Sequence, residues 1–249
     1  MTLKKSILKI ENVSKEFGKK VVFEKISFEL HKGEIFGLVG LSGCGKTTLL
    51  NILCGFINQD RGRILFLDED GSYKDLLLNE NKLKTFIGFS SQNPSFYLEL
   101  TIFENLKFFA TLHGIKHDEI VLRADKILSL LKLNDSKDTR ASELSEGMKK
   151  RLDIAIALIN EPKVLILDEP TSNLDVILRE ELYKYIHEIN KHGVTVIFVS
   201  HYIDEVKHLC ERVAILHNKT ITLVEDKGHI VKKFKAIVYN EVEVEVKNE

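Results

Sequence analysis

Residues Gly40-Leu-Ser-Gly-Cys-Gly-Lys46-Thr47 form a glycine-rich stretch between two apolar segments. The segment before it, residues 34–39, is nearly all apolar, which is typical of a central strand buried on both faces. The segment after it, residues 47–54, has helical character and is followed by Gly55. The stretch matches the pattern G-x-x-x-x-G-K-[ST], in which backbone N–H groups and a helix N-terminus cradle phosphate groups. The sequence therefore predicts a phosphate-binding loop that follows a buried strand.

Three features of this loop suit a polyphosphate, which is a dense negative charge. Gly40, Gly43 and Gly45 let the backbone turn so that successive N–H groups point inward. Lys46 can reach the β and γ phosphates, and the Thr47 hydroxyl can ligate Mg²⁺. The predicted nucleotide-binding residues of the loop are Gly40, Leu41, Ser42, Gly43, Cys44, Gly45, Lys46, Thr47 and Thr48.

A second apolar run, residues 164–167, ends in two carboxylates, Asp168 and Glu169. Ligands of open α/β sheets bind at the carboxyl ends of the strands, so these side chains are expected near the phosphates. Asp168 can hold Mg²⁺, directly or through water. Glu169 points to the opposite face of the strand and could act as general base on an attacking water.

Composition and charge exclude several classes of protein. The 36 Lys and Arg residues nearly balance the 37 Asp and Glu residues, so electrostatics gives no reason to expect nucleic acid as the main partner. Three cysteines do not make a disulfide framework. The longest apolar runs have about six residues, whereas a membrane-spanning helix needs about twenty. The N-terminus lacks the apolar stretch of a signal peptide, so a cytosolic location is expected.

Hydrophobic periodicity predicts the remaining organisation. Residues 7–13 and 21–30 alternate like half-buried antiparallel strands. Residues 101–113, 118–131 and 146–160 carry apolar residues at helical spacing, and three helices in a row suggest an inserted helical lobe. Strand and helix then alternate again from residue 164. The run Val242-Glu-Val-Glu-Val246 is predicted to be a strand with one wet face.

The order of these motifs resembles that of the ATP-binding cassette (ABC) ATPases over residues 7–217. Gln92 stands where that family has its Q-loop, and Leu144-Ser-Glu-Gly-Met148 resembles its signature, usually LSGGQ. Residues 172–175, ending in Asp175, resemble the D-loop. His201 resembles the switch histidine, and Phe17 resembles the aromatic residue that stacks on adenine.

The resemblance implies an α/β fold: a RecA-like P-loop NTPase core with an N-terminal antiparallel β subdomain and an inserted α-helical subdomain. The implied division gives residues 1–92 and 161–217 to the core and β subdomain. Residues 93–160 would form the helical signature subdomain, and residues 218–249 a short C-terminal tail.

The resemblance also implies a mechanism that needs two cassettes, packed head to tail around two ATP molecules. Each ATP would lie between the phosphate loop of one cassette and the signature residues Ser145, Glu146 and Gly147 of the other. Gln92 would sense Mg²⁺ and the attacking water, and His201 would hydrogen-bond the γ phosphate. The implied catalytic residues are Lys46, Gln92, Glu169 and His201; the implied Mg²⁺ ligands are Thr47, Gln92 and Asp168; and Phe17 and Asp175 complete the nucleotide-binding set.

The signature departs from the common form at two positions, because Glu146 replaces a glycine and Met148 replaces a glutamine. A carboxylate about 9 Å from a phosphate charge costs roughly 2 kcal/mol at an effective dielectric near 20. An acidic residue in a first helical turn stabilises the helix by a few tenths to about 1 kcal/mol, which offsets part of this cost. The basic residues 149–151 could compensate further, so retained activity is expected.

The leading interpretation is the ATPase subunit of an ABC transporter, with an exporter favoured because the signature form resembles the exporter-associated branch. A bare cassette needs separate transmembrane permease subunits, and it would sit on the cytoplasmic face of the membrane through them. The second cassette would be an identical chain or a paralogous ATPase. The alternative is a single-cassette ATPase of iron–sulfur cluster assembly, which fractionation would distinguish because such a factor should not co-purify with membranes.

Overall fold

A computed structural model describes residues 5–225 and 227–246 of the chain. The described residues form two compact units, one made of residues up to 78 and from 197 onward, and the other of residues 79–196. The strand β8, Thr195–Ser200, contains the second boundary. The predicted division into core, signature subdomain and tail remains a prediction.

The first unit begins with an antiparallel sheet whose strand order is β2-β1-β4-β5. Pairing sets Ile10 of β1 opposite Phe28 of β2 and Ile64 of β4, and all three side chains are buried. The alternation seen in the sequence thus gives one apolar face to this sheet. The strands are β1 Ser6–Phe17, β2 Lys20–His31, β4 Arg61–Leu67 and β5 Tyr73–Asp75.

The same unit holds the strand that leads into the phosphate loop, β3 Ile35–Val39, all five residues of which are buried. Its parallel neighbour is β9 Arg212–His217, which pairs antiparallel with β10 Thr220–Val224. The rings of Phe28 and Phe36 stack with centroids 5.4 Å apart. The helices of this unit are α1 Lys46–Leu53, α7 Ile203–Leu209 and α8 Lys227–Val246.

The predicted strand at residues 242–246 is wrong, because these residues belong to the backbone of α8. A two-residue alternation alone is a weak signal. Extending an existing helix adds one hydrogen bond for each residue that is fixed, whereas a new strand needs a partner strand to satisfy its backbone.

The second unit pairs two parallel strands, β6 Ile87–Ser90 and β7 Val164–Asp168. All five residues of β7 are buried, as the sequence predicts for a central strand. The helices are α2 Glu80–Phe86, α3 Ile102–Leu112, α4 His117–Leu130, α5 Glu146–Leu158 and α6 Val176–Lys191. The three helices α3 to α5 follow each other without an intervening strand, as the hydrophobic periodicity predicts.

Local sequence signals explain where these helices begin. Thr101 and Glu104 form a reciprocal capping box at the start of α3. Ser145 caps α5, and Asp175 caps α6 by accepting a hydrogen bond from Leu178 N–H at 2.9 Å. The signature and the D-loop residue are therefore both helix N-termini. The α/β fold class with an antiparallel β sheet in its N-terminal part is confirmed.

Candidate functional site

The three glycines of the phosphate loop are required for two different reasons, close contact at one position and backbone conformation at the other two. A Cβ at Gly40 would lie 2.5 Å from the carbonyl oxygen of Leu216 and 2.7 Å from the Cys44 sulfur. Gly43 has open space around it but a φ of +77°, and Gly45 has a φ of +110° as the N-cap of α1. Positive φ values of this size are readily adopted only by glycine. The loop is thus held in a turned conformation that side chains would prevent.

Lys46 is buried, and its ammonium group contacts backbone carbonyl oxygens at the start of the loop. Its Nζ donates to the carbonyl oxygen of Gly40 at 2.8 Å and to that of Leu41 at 3.1 Å. Lys46 is also the first residue of α1, so the positive end of the helix dipole and the ammonium group occupy the same loop. Ser42 and Thr47 are exposed, and Thr48 is partly exposed. The loop can therefore offer backbone N–H groups, a cation and hydroxyl groups to an anion.

Two more predicted residues lie in the same unit. Phe17 ends β1 with half of its surface exposed, and the Lys15 ammonium lies 5.0 Å from its ring centroid. An exposed aromatic face of this kind can stack on a base. His201 follows β8, is exposed, and has its ring centroid 3.9 Å from that of Tyr202.

The turn that carries His201 is fixed by two buried polar residues. The Ser200 hydroxyl donates to Glu205 Oε2 at 2.7 Å and accepts a hydrogen bond from Tyr202 N–H at 3.0 Å. Ser200 and Glu205 are both largely inaccessible to solvent. This pair is not among the predicted residues, although a serine at a strand end followed by an acid in the next helical turn is a recognisable signal.

In the second unit, the two predicted carboxylates lie at the end of β7. Asp168 is the last residue of β7 and is buried, whereas Glu169 has a φ of +48°. A left-handed conformation is strained for a non-glycine residue, and such strain is common at functional sites. Gln92 Nε2 donates to Glu169 Oε2 at 3.3 Å, so two of the predicted catalytic side chains are in contact.

The signature residues occupy the N-terminus of α5. The Ser145 hydroxyl accepts a hydrogen bond from Met148 N–H at 3.3 Å. Glu146 forms an ion pair with Lys149 at 3.0 Å, so the charge that departs from the common signature is partly neutralised within the same helical turn. A Cβ at Gly147 would lie 3.0 Å from Leu178 Cδ2, so the glycine backbone packs closely against the Leu178 side chain of α6.

Sequence reasoning did not identify the buried residues Asn105 and Asp153 in this unit, and it considered Lys150 only as a basic residue that could compensate Glu146. Asn105 is fully buried in α3, where its side chain binds the backbone of residues 97–101. Lys150 and Asp153 are buried in α5. Both contact the Q-loop segment, residues 90–95, through Gln92 and Ser95 respectively. In the sequence, Lys150 and Asp153 lie close to other charged residues of the same helix, so they resemble exposed helix residues.

Comparison with known proteins shows the family to which the chain belongs. The family model described as ABC transporter matches residues 23–172. The linearmycin resistance ATP-binding protein LnrL of Bacillus subtilis is 35% identical over 91% of this chain and 71% of its own length. The spermidine/putrescine import ATP-binding protein PotA of Protochlamydia amoebophila is 37% identical over 85% of this chain and 55% of its own length. The chain belongs to the ABC transporter family.

Solved ABC cassettes share the fold. The ADP conformation of MJ1267, an ATP-binding cassette of an ABC transporter, has a TM-score of 0.83 and 26% identity over 96% of this chain and 99% of that chain. The cbiO1 protein of Clostridium perfringens, part of the ABC transporter complex cbiONQ, has a TM-score of 0.80 and 30% identity over 98% of this chain and 96% of its own. The cassette described here is an ATPase that binds ATP and couples its hydrolysis to transport.

The residues present fit the two groups that the ABC family implies. A Cβ at Gly40 would collide with the carbonyl oxygen of Leu216 and one at Gly45 with Val22, so the glycines keep the loop in its turned form, and the donors of the loop suit ATP. Among the residues that the structure describes, no three His, Cys, Asp or Glu side chains gather as a ready-made metal cage. Thr47 carries a hydroxyl oxygen and Asp168 a carboxylate, and oxygen atoms of this kind are the ligands that Mg²⁺ takes. Within residues 5–225 and 227–246, each helix falls short of the combined length and apolarity that a bilayer crossing demands.

Proposed function

We propose that this chain is the ATPase subunit of an exporter and that two cassettes close head to tail around ATP. The observation that carries the catalytic part is the 3.3 Å approach of Gln92 Nε2 to Glu169 Oε2, beside a left-handed Glu169 backbone. A carboxylate that is oriented by a side-chain amide is suited to accept a proton from a water molecule. Glu169 is therefore the general base, and Gln92 orients it.

The other predicted residues bind and orient the nucleotide. Lys46 and the N–H groups of residues 40–48 hold the phosphates, and Phe17 stacks on the base. Thr47 and Asp168 are the protein ligands of Mg²⁺, and Gln92 is a further one. When bound, Mg²⁺ neutralises charge that develops on the phosphate oxygens. His201 hydrogen-bonds the terminal phosphate, and its position is held by Ser200 and Glu205.

The second cassette contributes its signature helix. The first N–H groups of any α-helix lack intrahelical acceptors, so residues 145–147 at the start of α5 suit a phosphate presented across an interface. Asp175 caps α6 and lies in the segment that would face the partner. Loss of the terminal phosphate removes this bridge, and the two cassettes then separate. The partner is a second copy of this chain or a paralogous ATPase.

The permease contact is proposed at an exposed apolar patch that follows the Q-loop. Tyr97 and Leu98 each expose nearly half of their surface, and Phe108 and Leu112 of α3 are exposed as well. The Tyr97 ring packs edge-on against Phe108, with centroids 4.9 Å apart. This patch would accept a short helix of a separate transmembrane subunit, which would hold the chain at the cytoplasmic face of the membrane. No nucleic-acid partner is proposed.

Export is favoured over import by the signature form and by the likeness to a protein named for resistance to linearmycin. Outward transport is a direct way to resist a toxic compound. The likeness to PotA, which is named as an import protein, makes direction the first property to test. The iron–sulfur assembly alternative gains no support from the relatives described above, which are transport proteins.

The experiment is to compare the wild type with Lys46→Met and Glu169→Gln in cells that make the complete transporter. ATP binding should be lost in Lys46→Met, and hydrolysis should be lost in Glu169→Gln. If this chain drives export of such compounds, cells with either variant should accumulate more linearmycin than cells with the wild type. Lower accumulation than the wild type would indicate import. Recovery of the chain without any membrane protein would favour the assembly factor.

A further inference from the structure

The signature helix α5 carries two buried charged side chains one turn apart. Lys150 has 9% of its surface exposed and Asp153 has 2%. Residues three apart share one face of an α-helix, so both side chains point in a similar direction. Desolvation by burial lowers the pKa of the Lys150 ammonium and raises the pKa of the Asp153 carboxyl, and mutual attraction opposes both shifts. A charge kept in such a place needs specific partners.

Those partners are the two ends and the middle of the Q-loop segment, residues 90–95. The Asp153 carboxylate accepts a hydrogen bond from the Ser90 hydroxyl at 2.5 Å and from Ser95 N–H at 3.3 Å, with the Ser95 hydroxyl at 3.4 Å. Lys150 Nζ donates to the carbonyl oxygen of Gln92 at 3.1 Å. The segment between the two serines is otherwise on the surface, since residues 92–95 are exposed. Asp153 therefore fixes both ends of the segment, and Lys150 fixes its middle.

Gln92 links these contacts to Glu169, the proposed base. Its backbone carbonyl is held by Lys150, and its side-chain amide donates to Glu169 Oε2 at 3.3 Å. The Lys150 ammonium also interacts electrostatically with Asp168 and Glu169. Because α5 begins at the signature, a displacement of the signature helix would pull on the backbone of Gln92 and hence on its contact with Glu169.

Stability alone does not explain this arrangement. Replacing a buried ion pair by well-packed apolar side chains is often neutral or stabilising, so buried charges are weak evidence of a purely structural role. The neighbours of Asp153 in α5, from Leu152 to Leu158, are otherwise apolar and buried. The two charges occur on the side of the helix that contacts the Q-loop segment.

We propose that Lys150 and Asp153 are positioning residues that fasten the Q-loop segment to the signature helix and thereby hold Gln92 against Glu169. This proposal rests on the proposed function for the roles of Gln92 and Glu169. It adds that the signature helix acts on Glu169 through Lys150 and Asp153. Binding of nucleotide to the signature would therefore affect the position of the Glu169 carboxylate.

The test uses the full chain and two kinds of measurement. Lys150→Met keeps the aliphatic stem and removes the donor to Gln92, and Asp153→Ala removes the acceptor of both serines. We expect kcat for ATP hydrolysis to fall about 10- to 100-fold, since small misplacements of catalytic groups have effects of this size. The dissociation constant for ATP should change less than about twofold, because the phosphate loop is not altered. Lys150→Arg should restore much of kcat.

Hydrogen exchange provides a measurement that does not depend on activity. The Ser95 amide should exchange at least about tenfold faster in Asp153→Ala, because its acceptor is gone. In Asp153→Asn, where an acceptor oxygen remains, exchange should stay close to that of the wild type. The control is Lys126→Met, which removes the same charge from an exposed position of α4 and should change neither kcat nor exchange.

The outcomes separate this inference from the proposed function. If Lys150→Met and Asp153→Ala keep both the kcat and the Ser95 exchange rate of the wild type, the inference is overturned. If Glu169→Gln hydrolyses ATP normally, the proposed function is overturned. In that case faster exchange of the Ser95 amide in Asp153→Ala would still show that Asp153 orders the Q-loop segment. An unchanged exchange rate would overturn the further inference as well. Should Lys150→Met not fold, Asp153→Ala gives both measurements on its own; should Asp153→Ala not fold, the kcat of Lys150→Met decides.

Discussion

Replacement of Asn105 by leucine should destabilise the chain through the segment that follows the Q-loop. The Asn105 side chain is fully buried, and its Oδ1 accepts a hydrogen bond from Tyr97 N–H at 2.8 Å. Its Nδ2 donates to the carbonyl oxygens of Tyr97 at 3.0 Å, Leu100 at 3.3 Å and Thr101 at 2.9 Å. Leucine has nearly the same shape and can make none of these four contacts.

The magnitude follows from what the backbone groups would retain. The three carbonyl oxygens each keep a second donor: Leu100 N–H, Ala141 N–H and the Asn105 N–H itself. Tyr97 N–H loses the acceptor described for it, and an unsatisfied donor costs about 1–3 kcal/mol. Each lost amide donation adds at most about 1 kcal/mol net. The expected loss in the free energy of unfolding is therefore about 1–6 kcal/mol.

Urea unfolding followed by circular dichroism measures this loss as a shift of the midpoint at an unchanged slope. The matched control is Asn134→Leu, because Asn134 is exposed and its side chain makes one described hydrogen bond, to the Ser129 hydroxyl. That variant should lose less than about 0.5 kcal/mol. If both variants lose the same small amount, the buried amide does not hold residues 97–101 in place, and the reasoning is wrong.

Three further predictions concern the second unit. Gly88→Ala should lower the free energy of unfolding by about 3 kcal/mol, since the new Cβ would lie 2.2 Å from the carbonyl oxygen of Ala157; an unchanged urea midpoint would contradict this. Glu146→Gly should cost about 1–2 kcal/mol of stability through the lost ion pair with Lys149 and the added glycine, while ATPase activity stays equal or rises; a large loss of kcat would reveal a positive role for the glutamate. Burial raises the pKa of Asp153 above 3.8, so its contribution to stability is present below that pH and is lost as pH rises through the folded pKa. Asparagine does not titrate, so the stability of Asp153→Asn relative to the wild type should increase from about pH 4 upward, and a difference that is constant with pH would contradict the prediction.

The parts of the fold that the sequence predicts best are those with a strong local cause. The phosphate loop follows from glycine geometry, and each of its glycines is explained by a contact or a φ angle. The helices α3, α4 and α5 follow from long apolar periodicity. Elements of three to seven residues, such as β5, α2 and β6, are too short to give a periodic signal.

The acidic strand end predicts Glu169 as general base and the family resemblance predicts Gln92, whereas the contact between the two side chains is found only in the structure. The burial of the two charges of α5 was missed for a physical reason. A lysine or an aspartate is almost always exposed, and only tertiary packing places Asp153 beside Ser90, which is 63 positions away in the chain. Val242–Val246 shows the opposite error, in which a short alternation was given more weight than the cooperativity of a long helix.

The most direct test of closure around ATP is the mass of Glu169→Gln in solution, measured by light scattering or small-angle X-ray scattering with and without ATP and Mg²⁺. With ATP the variant should have the mass of two chains, and it should have the mass of one chain without nucleotide. Ser145→Arg in the same background should bind ATP and stay at the mass of one chain. A Glu169→Gln chain that is saturated with ATP and still has the mass of one chain would contradict closure of two copies around the nucleotide.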